Sequence, residues 1–164
     1  MATIRGPATE SLAQARAFQS ALLEFLPLVQ LWDREVAAAH SVSVTQCLAL
    51  RLLAQESPLT VNDLAARLYL DKSTASRVAA RLETKGYLVR TRDPGDGRIV
   101  WLQPTPIGER LRVRIEDRMA SRYAELLADF DPEVRSVMTR MLARLTASFA
   151  ARVQASRRTR RVTG

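Results

Sequence analysis

The sequence predicts a mainly α-helical chain carrying one small β-hairpin: a winged helix-turn-helix embedded in an α-helical dimerisation domain. Three observations predict it. In the stretch 71–84, Ala75, Val78, Ala79 and Leu82 recur at i, i+3, i+4 and i+7, behind an outer face of Ser73, Ser76, Arg77, Ala80 and Thr84. A capped helix precedes that stretch across a tight turn, and a glycine stop and a hairpin follow it. Long apolar helical stripes then extend beyond this unit on both sides, too long for it to cover.

Taken in order, Met1–Ala8 reads as a loose arm. From Thr9, Leu12, Ala15, Phe18, Leu22, Phe25, Leu26 and Val29 recur at three- and four-residue steps. Pro27 is expected to kink or split this helix, because it lacks an N–H and crowds the preceding turn. The pattern resumes through Leu31, Trp32 and Val36 to about Ala39, and His40–Val42 reads as a connector. Ser43 and Gln46 fit a capping box, and the helix they open runs through Cys47, Leu50 and Leu53 to about Gln55, where Ser57-Pro58 breaks it. Thr60 and Asp63 form a looser box, opening a helix with a buried stripe of Val61, Leu64, Ala65 and Leu68. Tyr69-Leu70 is the turn, and Asp71 is placed to cap the next helix.

Gly86 fits the position just past that helix's end. Two strand-like runs, 87–92 and 98–103, flank Asp93-Pro94-Gly95-Asp96-Gly97, a cluster of turn residues. Thr105-Pro106 and Asp131-Pro132 are both helix starts, with a cap residue followed by proline. One stripe runs from Ile107 through Leu111, Ile115 and Met119 to about Phe130, and a second from Val134 to Val153. Arg157–Arg161 is a basic run without a helix signal. The expected organisation is 1–42, an N-terminal helical dimerisation segment; 43–104, the winged unit; 105–155, C-terminal dimerisation helices; and 156–164, a disordered basic tail.

A chain of 164 residues with 47% apolar residues has ample material for a core. Its formal net charge of +8 favours a polyanionic partner. All but two of the 25 basic residues are arginine, whose forked donors suit phosphate and guanine. Cys47 is the single cysteine, so no intrachain disulfide can form and a reducing, cytoplasmic setting is expected. The sequence carries no signal pattern, and no apolar run approaches the length of a membrane span. It shows no glycine-rich phosphate loop, no metal-spaced His/Cys cluster and no nucleophile–base pair, so an enzyme, a metal site and a cofactor are not expected. The uncovered stripes predict a twofold homodimer with interleaved terminal helices, a monomeric bundle being the alternative. Such a dimer places two outward helices about 34 Å apart, one turn of B-DNA, matching a palindromic site.

The run Asn62-Asp63-Leu64-Ala65, then Ser73-Thr74-Ala75-Ser76-Arg77, then Leu82-Glu83-Thr84-Lys85-Gly86-Tyr87-Leu88-Val89-Arg90, then Asp93-Pro94-Gly95-Asp96-Gly97-Arg98, then Thr105-Pro106-Ile107-Gly108 resembles the MarR family of bacterial transcriptional regulators. The resemblance spans roughly residues 20–152 and is most specific over Leu82–Gly108. It implies a homodimer that binds a palindromic operator in double-stranded DNA, usually as a repressor. It also implies release by a small aromatic or phenolic effector, or response to oxidants through cysteine. The chain departs from the family in three places. Pro104 stands where leucine is usual, so the second strand is expected to end early. Gly97 replaces a basic wing residue, and Pro27 interrupts the first helix.

The resemblance puts Ser73, Thr74, Ser76 and Arg77 in the major groove. Arg77 and Arg81 are candidates for base or phosphate contact, Arg81 alternatively pairing with Glu83 or Asp63. Lys72 is expected on phosphate. Arg98 matches a wing-tip arginine placed in the minor groove, where narrow A/T tracts concentrate negative potential, and Asp96 would hold that arginine or the turn. Asn62 is a further phosphate candidate, while Thr60 is read as a cap. Arg90 and Arg92 either touch phosphate or are solvated. Trp32, His40 and Cys47 either border an effector cavity or belong to the core. Cys47 is an inert small hydrophobe or an oxidant sensor. Trp101 is expected to pack across the hairpin. A winged module that binds protein instead of DNA is the reading of another class, and the basic charge opposes it.

Overall fold

A computed structural model describes residues 7–162 of the chain, with the side chains of 10–156. The element order is α1 (Pro7–Ala39), α2 (Val44–Glu56), α3 (Val61–Arg67), α4 (Lys72–Thr84), β1 (Leu88–Arg92), β2 (Val100–Pro104), α5 (Pro106–Ala128) and α6 (Pro132–Val162). The chain divides into two compact units, Met1–Met119 and Ala120–Gly164, with α5 running from the first into the second. The mainly helical class with one antiparallel hairpin is as the sequence predicts.

Local chemistry starts the short helices. Ser43 Oγ accepts from the Gln46 N–H at 3.2 Å, and Gln46 Oε1 accepts from the Ser43 N–H at 2.9 Å. Thr60 and Asp63 make the same reciprocal pair, at 3.2 and 2.9 Å. Each box satisfies two backbone donors that a helix start otherwise leaves unpaired.

The core of the first unit gathers Val36 and Ala37 from α1, Leu50 and Leu53 from α2, and Leu64 from α3. It adds Ala75, Ala79 and Leu82 from α4, Leu88 and Leu102 from the hairpin, and Leu111 and Ile115 from α5. Each fully buried leucine contributes about 1.5–3 kcal/mol relative to exposure. Ala75 and Ala79 are wholly buried, and their small side chains let α4 lie close on α2 and α3.

Glycine ends α4 as expected. Gly86 has φ +72°, its N–H donates to Glu83 O at 2.8 Å, and the Tyr87 N–H donates to Leu82 O at 2.9 Å. This Schellman arrangement turns the chain directly into β1. The hairpin then leads into α5 through Thr105, whose N–H donates to Tyr87 O at 3.1 Å. Thr105 Oγ1 donates to Gly86 O at 2.6 Å and accepts from the Gly108 N–H at 3.1 Å. A Cβ on Gly108 would stand 2.1 Å from Tyr87 O, so glycine here is a requirement of space.

Several expectations are corrected. Pro27 does not split α1, which is continuous through it. The proline leaves the Leu23 carbonyl without its helical donor, yet the helix carries on past it. The second strand does not end early, because Pro104 is paired opposite Leu88. Leu102 exchanges bonds with Leu59 at 2.7 and 3.3 Å, so alternate β2 residues point their N–H away from β1. Pro104 shares that orientation, and its missing donor removes no rung. Leu59 itself forms a third, one-residue strand that the sequence reading lacks. The backbone of 156–162 is the end of α6 and not a disordered tail. No glycine or proline intervenes between Glu133 and Thr163, and alanine and arginine propagate a helix well once it is nucleated. Helix α1 begins at Pro7, two residues before the expected Thr9, and the rest of the expected arm, Met1–Gly6, lies outside the described residues.

Two glycine substitutions separate the two reasons for glycine. Gly108→Ala forces backbone against backbone and is expected to cost more than the ~1–3 kcal/mol of ordinary overpacking. Gly86→Ala meets no atom within 4 Å and is expected to lose only about 1–2 kcal/mol for its left-handed φ. Urea unfolding midpoints of the two variants measure the difference.

Candidate nucleic-acid interface

Asp71 sets the first turn of α4. Its Oδ1 accepts from the Thr74 N–H at 2.7 Å and from the Ser73 hydroxyl at 2.5 Å, and its Oδ2 accepts from the Thr74 hydroxyl at 2.7 Å. Those bonds, the Ser73 hydroxyl first, hold its carboxyl well below the usual carboxylate range. Thr74 Oγ1 in turn accepts from Arg77 Nη2 at 3.1 Å. The hydroxyl hydrogens of Ser73 and Thr74 are therefore committed to the cap, and Thr74 orients Arg77.

The outward stripe of α4 is Lys72, Ser73, Arg77, Ala80, Arg81 and Thr84, all exposed, while Thr74 and Ser76 are half-buried. It lies opposite the buried Ala75, Val78, Ala79 and Leu82. Thr84 Oγ1 donates back to Ala80 O at 3.0 Å. Among the described residues, the side-chain cations of Lys72, Arg81 and Arg98 have no hydrogen-bond or ion-pair partner. Arg81 pairs with neither Glu83 nor Asp63. Glu83 Oε2 lies 3.3 Å from Arg90 Nε, and Asp63 is held by the Thr60 hydroxyl and N–H, which lower its pKa.

Arg90 occupies a different setting from the other candidates. Its Nε and Nη2 are screened from solvent and lack a hydrogen bond of good geometry. It joins α4 to β1 through Glu83. Asn62 is exposed on the first turn of α3, and Thr60 is occupied as its cap. Lys85 Nζ donates to Ser41 O, tying the end of α4 to the α1–α2 connector.

In the wing, Asp96 Oδ1 accepts from the Arg98 N–H at 3.0 Å, so Asp96 holds the turn beneath the arginine. Asp93 does more than its turn position suggested. Its carboxylate accepts from the Trp101 indole at 2.8 Å and from the Gly95 and Asp96 amides at 2.8 and 2.9 Å. The indole bond is the chief reason its carboxyl is lowered. Neither this bond nor the Lys85 tie is among the sequence-based expectations. The available signal for the first was a buried-type aromatic two residues into the return strand, facing an acid across the turn.

Trp32, His40 and Cys47 are all half-buried, at the end of α1, in the connector and in the first turn of α2. Burial pushes the Cys47 thiol up to about 11, with the charge of Asp33 on α1 adding to it. A thiol held that high is almost wholly protonated near neutral pH, which opposes peroxide sensing, since the thiolate is the reactive form. Among the described residues no group of three or more His, Cys, Asp or Glu could hold a metal, and no single helix is long and apolar enough to cross a membrane.

The sequence profile of the MarR family matches residues 40–99. The chain is 33% identical over 117 residues to the HTH-type transcriptional regulator YxaD of Bacillus subtilis, covering 71% of this chain and 82% of that protein. It is 25% identical over 139 residues to the homoprotocatechuate degradative operon repressor of Escherichia coli, covering 85% and 87%. Among solved structures it superposes on a MarR family protein from Bacillus stearothermophilus with TM-score 0.74 and 26% identity, over 84% of this chain and 97% of that one. The PcaV transcriptional regulator of Streptomyces coelicolor gives 0.63 and 26%, over 81% and 98%.

The lowered carboxyls give stability a definite acid dependence. Asp63, Asp71 and Asp93 are all depressed in the folded state, so their contribution is complete above the unfolded value of about 3.9 and is lost as pH falls through the folded ones. Unfolding midpoints should change little from these groups between about pH 5 and 8 and fall below about pH 4. Asp71→Asn, which keeps a capping oxygen, should make the acid decline shallower. For Cys47, the expected outcome is slow alkylation by iodoacetamide at pH 7.5 that accelerates with pH past 9, with Cys47→Ser leaving DNA affinity unchanged.

Proposed function

The chain belongs to the MarR family of DNA-binding transcriptional regulators, and we infer from this that it acts as a homodimer on a palindromic operator. It is a regulator and not an enzyme. The observation that carries the finer reading is the stripe of unneutralised groups on α4 and the wing. Arg77 is oriented by Thr74, Arg81 is unpaired, Lys72 lies at the first turn and Arg98 lies at the wing tip. On this reading Arg77 and Arg81 meet base edges or phosphate in the major groove, with Ser73, Thr74 and Ser76 alongside. Lys72 and Asn62 serve the backbone, Arg98, held by Asp96, enters the minor groove, and Arg90, paired with Glu83 and screened from solvent, braces the wing on α4 in place of the phosphate contact expected of it.

Apolar exposure supports the dimer. On α1, Leu23 is 66% and Leu28 61% exposed, and on α6 Leu142 is 58% and Phe149 54% exposed. Faces of that kind call for a partner, and a twofold copy supplies the same faces in return. Repression is supported by the relative that is named a repressor. The proposal includes release by a small aromatic effector seated beside Trp32, His40 and Cys47, which biases the population between DNA-competent and incompetent states. The protein would do this work in the cytoplasm.

Footprinting of the purified protein on the intergenic DNA beside its gene, together with selection from genomic fragments, tests the reading. A protected inverted repeat is expected, and absence of any protected site in either experiment would sink it. On that site Arg77→Ala should lose about 1–3 kcal/mol of discrimination between correct and altered bases. Lys72→Ala should weaken all sequences alike and lower the salt slope by about one.

A further inference from the structure

Trp101 is a large side chain that the core does not use. In the hairpin register Leu88, Arg90 and Arg92 lie opposite Pro104, Leu102 and Val100. Leu88 and Leu102 are buried, so this set forms the core-facing side of the ribbon. Trp101 pairs with Thr91 and stands on the opposite side, half-buried. An aromatic residue on the outer face of a two-stranded ribbon gains little from the core.

Its indole N–H instead reaches the first residue beyond the partner strand. Nε1 donates to Asp93 Oδ2 at 2.8 Å. The other carboxylate oxygen accepts from the Gly95 and Asp96 amides. Asp96 continues the chain of bonds: its Oδ1 accepts from the Arg98 N–H, and its carbonyl accepts from the Ile99 N–H at 2.9 Å. The Asp93 N–H closes the loop on Ile99 O at 3.0 Å. A continuous hydrogen-bonded path therefore runs from the Trp101 ring to the backbone of Arg98. The tip it crosses holds Gly95 and Gly97, and a Cβ at Gly97 would meet nothing within 4 Å. Side-chain packing does not restrain that glycine.

We propose that Asp93 and Trp101 are a positioning pair that presets the wing tip for Arg98. The proposal rests on the reading that Arg98 enters the minor groove. Binding an arginine into a narrow groove from a loose glycine tip costs ordering entropy at the moment of association. A carboxylate that holds two tip amides, and is itself held by an indole, removes part of that cost beforehand. Asp93 and Trp101 touch no base. They act through the position of Arg98.

The test uses the full-length protein and its operator duplex with either A/T-rich or G·C-rich sequence under the wing. Trp101→Phe keeps a ring and removes the donor. Asp93→Asn keeps one oxygen for the tip amides and turns an amide donor toward the indole. Each variant is expected to bind the A/T-flanked duplex about five- to tenfold more weakly. Binding to the G·C-flanked duplex should stay within about twofold, and the double variant should be no weaker than either single one. In an Arg98→Ala background neither substitution should matter further. Amide exchange at Asp96 and Arg98 should speed up in both variants, while exchange in α4 stays unchanged.

The proposal is overturned if Trp101→Phe binds like the parent protein. It is equally overturned if the loss is the same on both flanks or persists without Arg98, because that would be a general structural effect. A harmless Trp101→Phe beside a damaging Trp101→Ala would assign the ring to direct packing and overturn it as well. Failure of the parent protein to bind any duplex, or an Arg98→Ala variant without effect, sinks the DNA reading beneath the proposal. Parent binding with unaffected variants sinks only the positioning pair.

Discussion

Everything in the first unit turns on one joint, where Thr105 meets the end of α4. Its hydroxyl takes the Gly86 carbonyl and caps Gly108, and its N–H takes the Tyr87 carbonyl. Gly108 then lets the α5 backbone rest directly on Tyr87. Three elements meet there, α4, the hairpin and α5, with the short Thr105 side chain as the bridge. Because its hydrogen bonds all end on backbone groups and α5 packs through a glycine, the joint has little slack. A change in the course of α5 at this joint must therefore move α4 or break hydrogen bonds.

The polar groups around that joint are divided by task. Some are consumed by structure. Asp71 takes the Ser73 and Thr74 hydroxyls, Asp63 takes Thr60, Glu83 takes Arg90, and Asp93 takes Trp101. Others are left available, notably Lys72, Arg81 and Arg98. The acids thus mark which positions hold the scaffold and which keep an unneutralised charge. The formal charge of +8 says only that a polyanion is favoured. The pairing pattern says which of these cations remain unneutralised.

The parts of this architecture that were legible from sequence are those written in local chemistry. The boxes at Ser43–Gln46 and Thr60–Asp63, the Asp71 cap and the Gly86 stop each depend on residues within three or four positions of one another, so spacing alone reveals them. The same holds for the buried stripe of α4. Pro27, expected to kink or split α1, does not split it, for the complementary reason: whether a helix continues past a proline depends on its packing as a whole and not on the proline alone. Pro104 is similar, since its tolerance depends on which way the β2 amides point, and that was decided by Leu59. The end of α6 was misjudged because a run of arginines reads as a solvated tail, although arginine is also a good helix former.

The sequence by itself therefore determined the fold class, the caps and stops of the short helices, the buried face of α4 and the family, because short-range hydrogen bonding and period-3.6 burial are encoded residue by residue. Only the tertiary structure decided which cations remain free, that Lys85 ties the end of α4 to Ser41, and that Trp101 is spent on Asp93 and not on the core. Those outcomes depend on which groups meet across a turn or between elements, and contacts of that kind leave no fixed spacing in the chain.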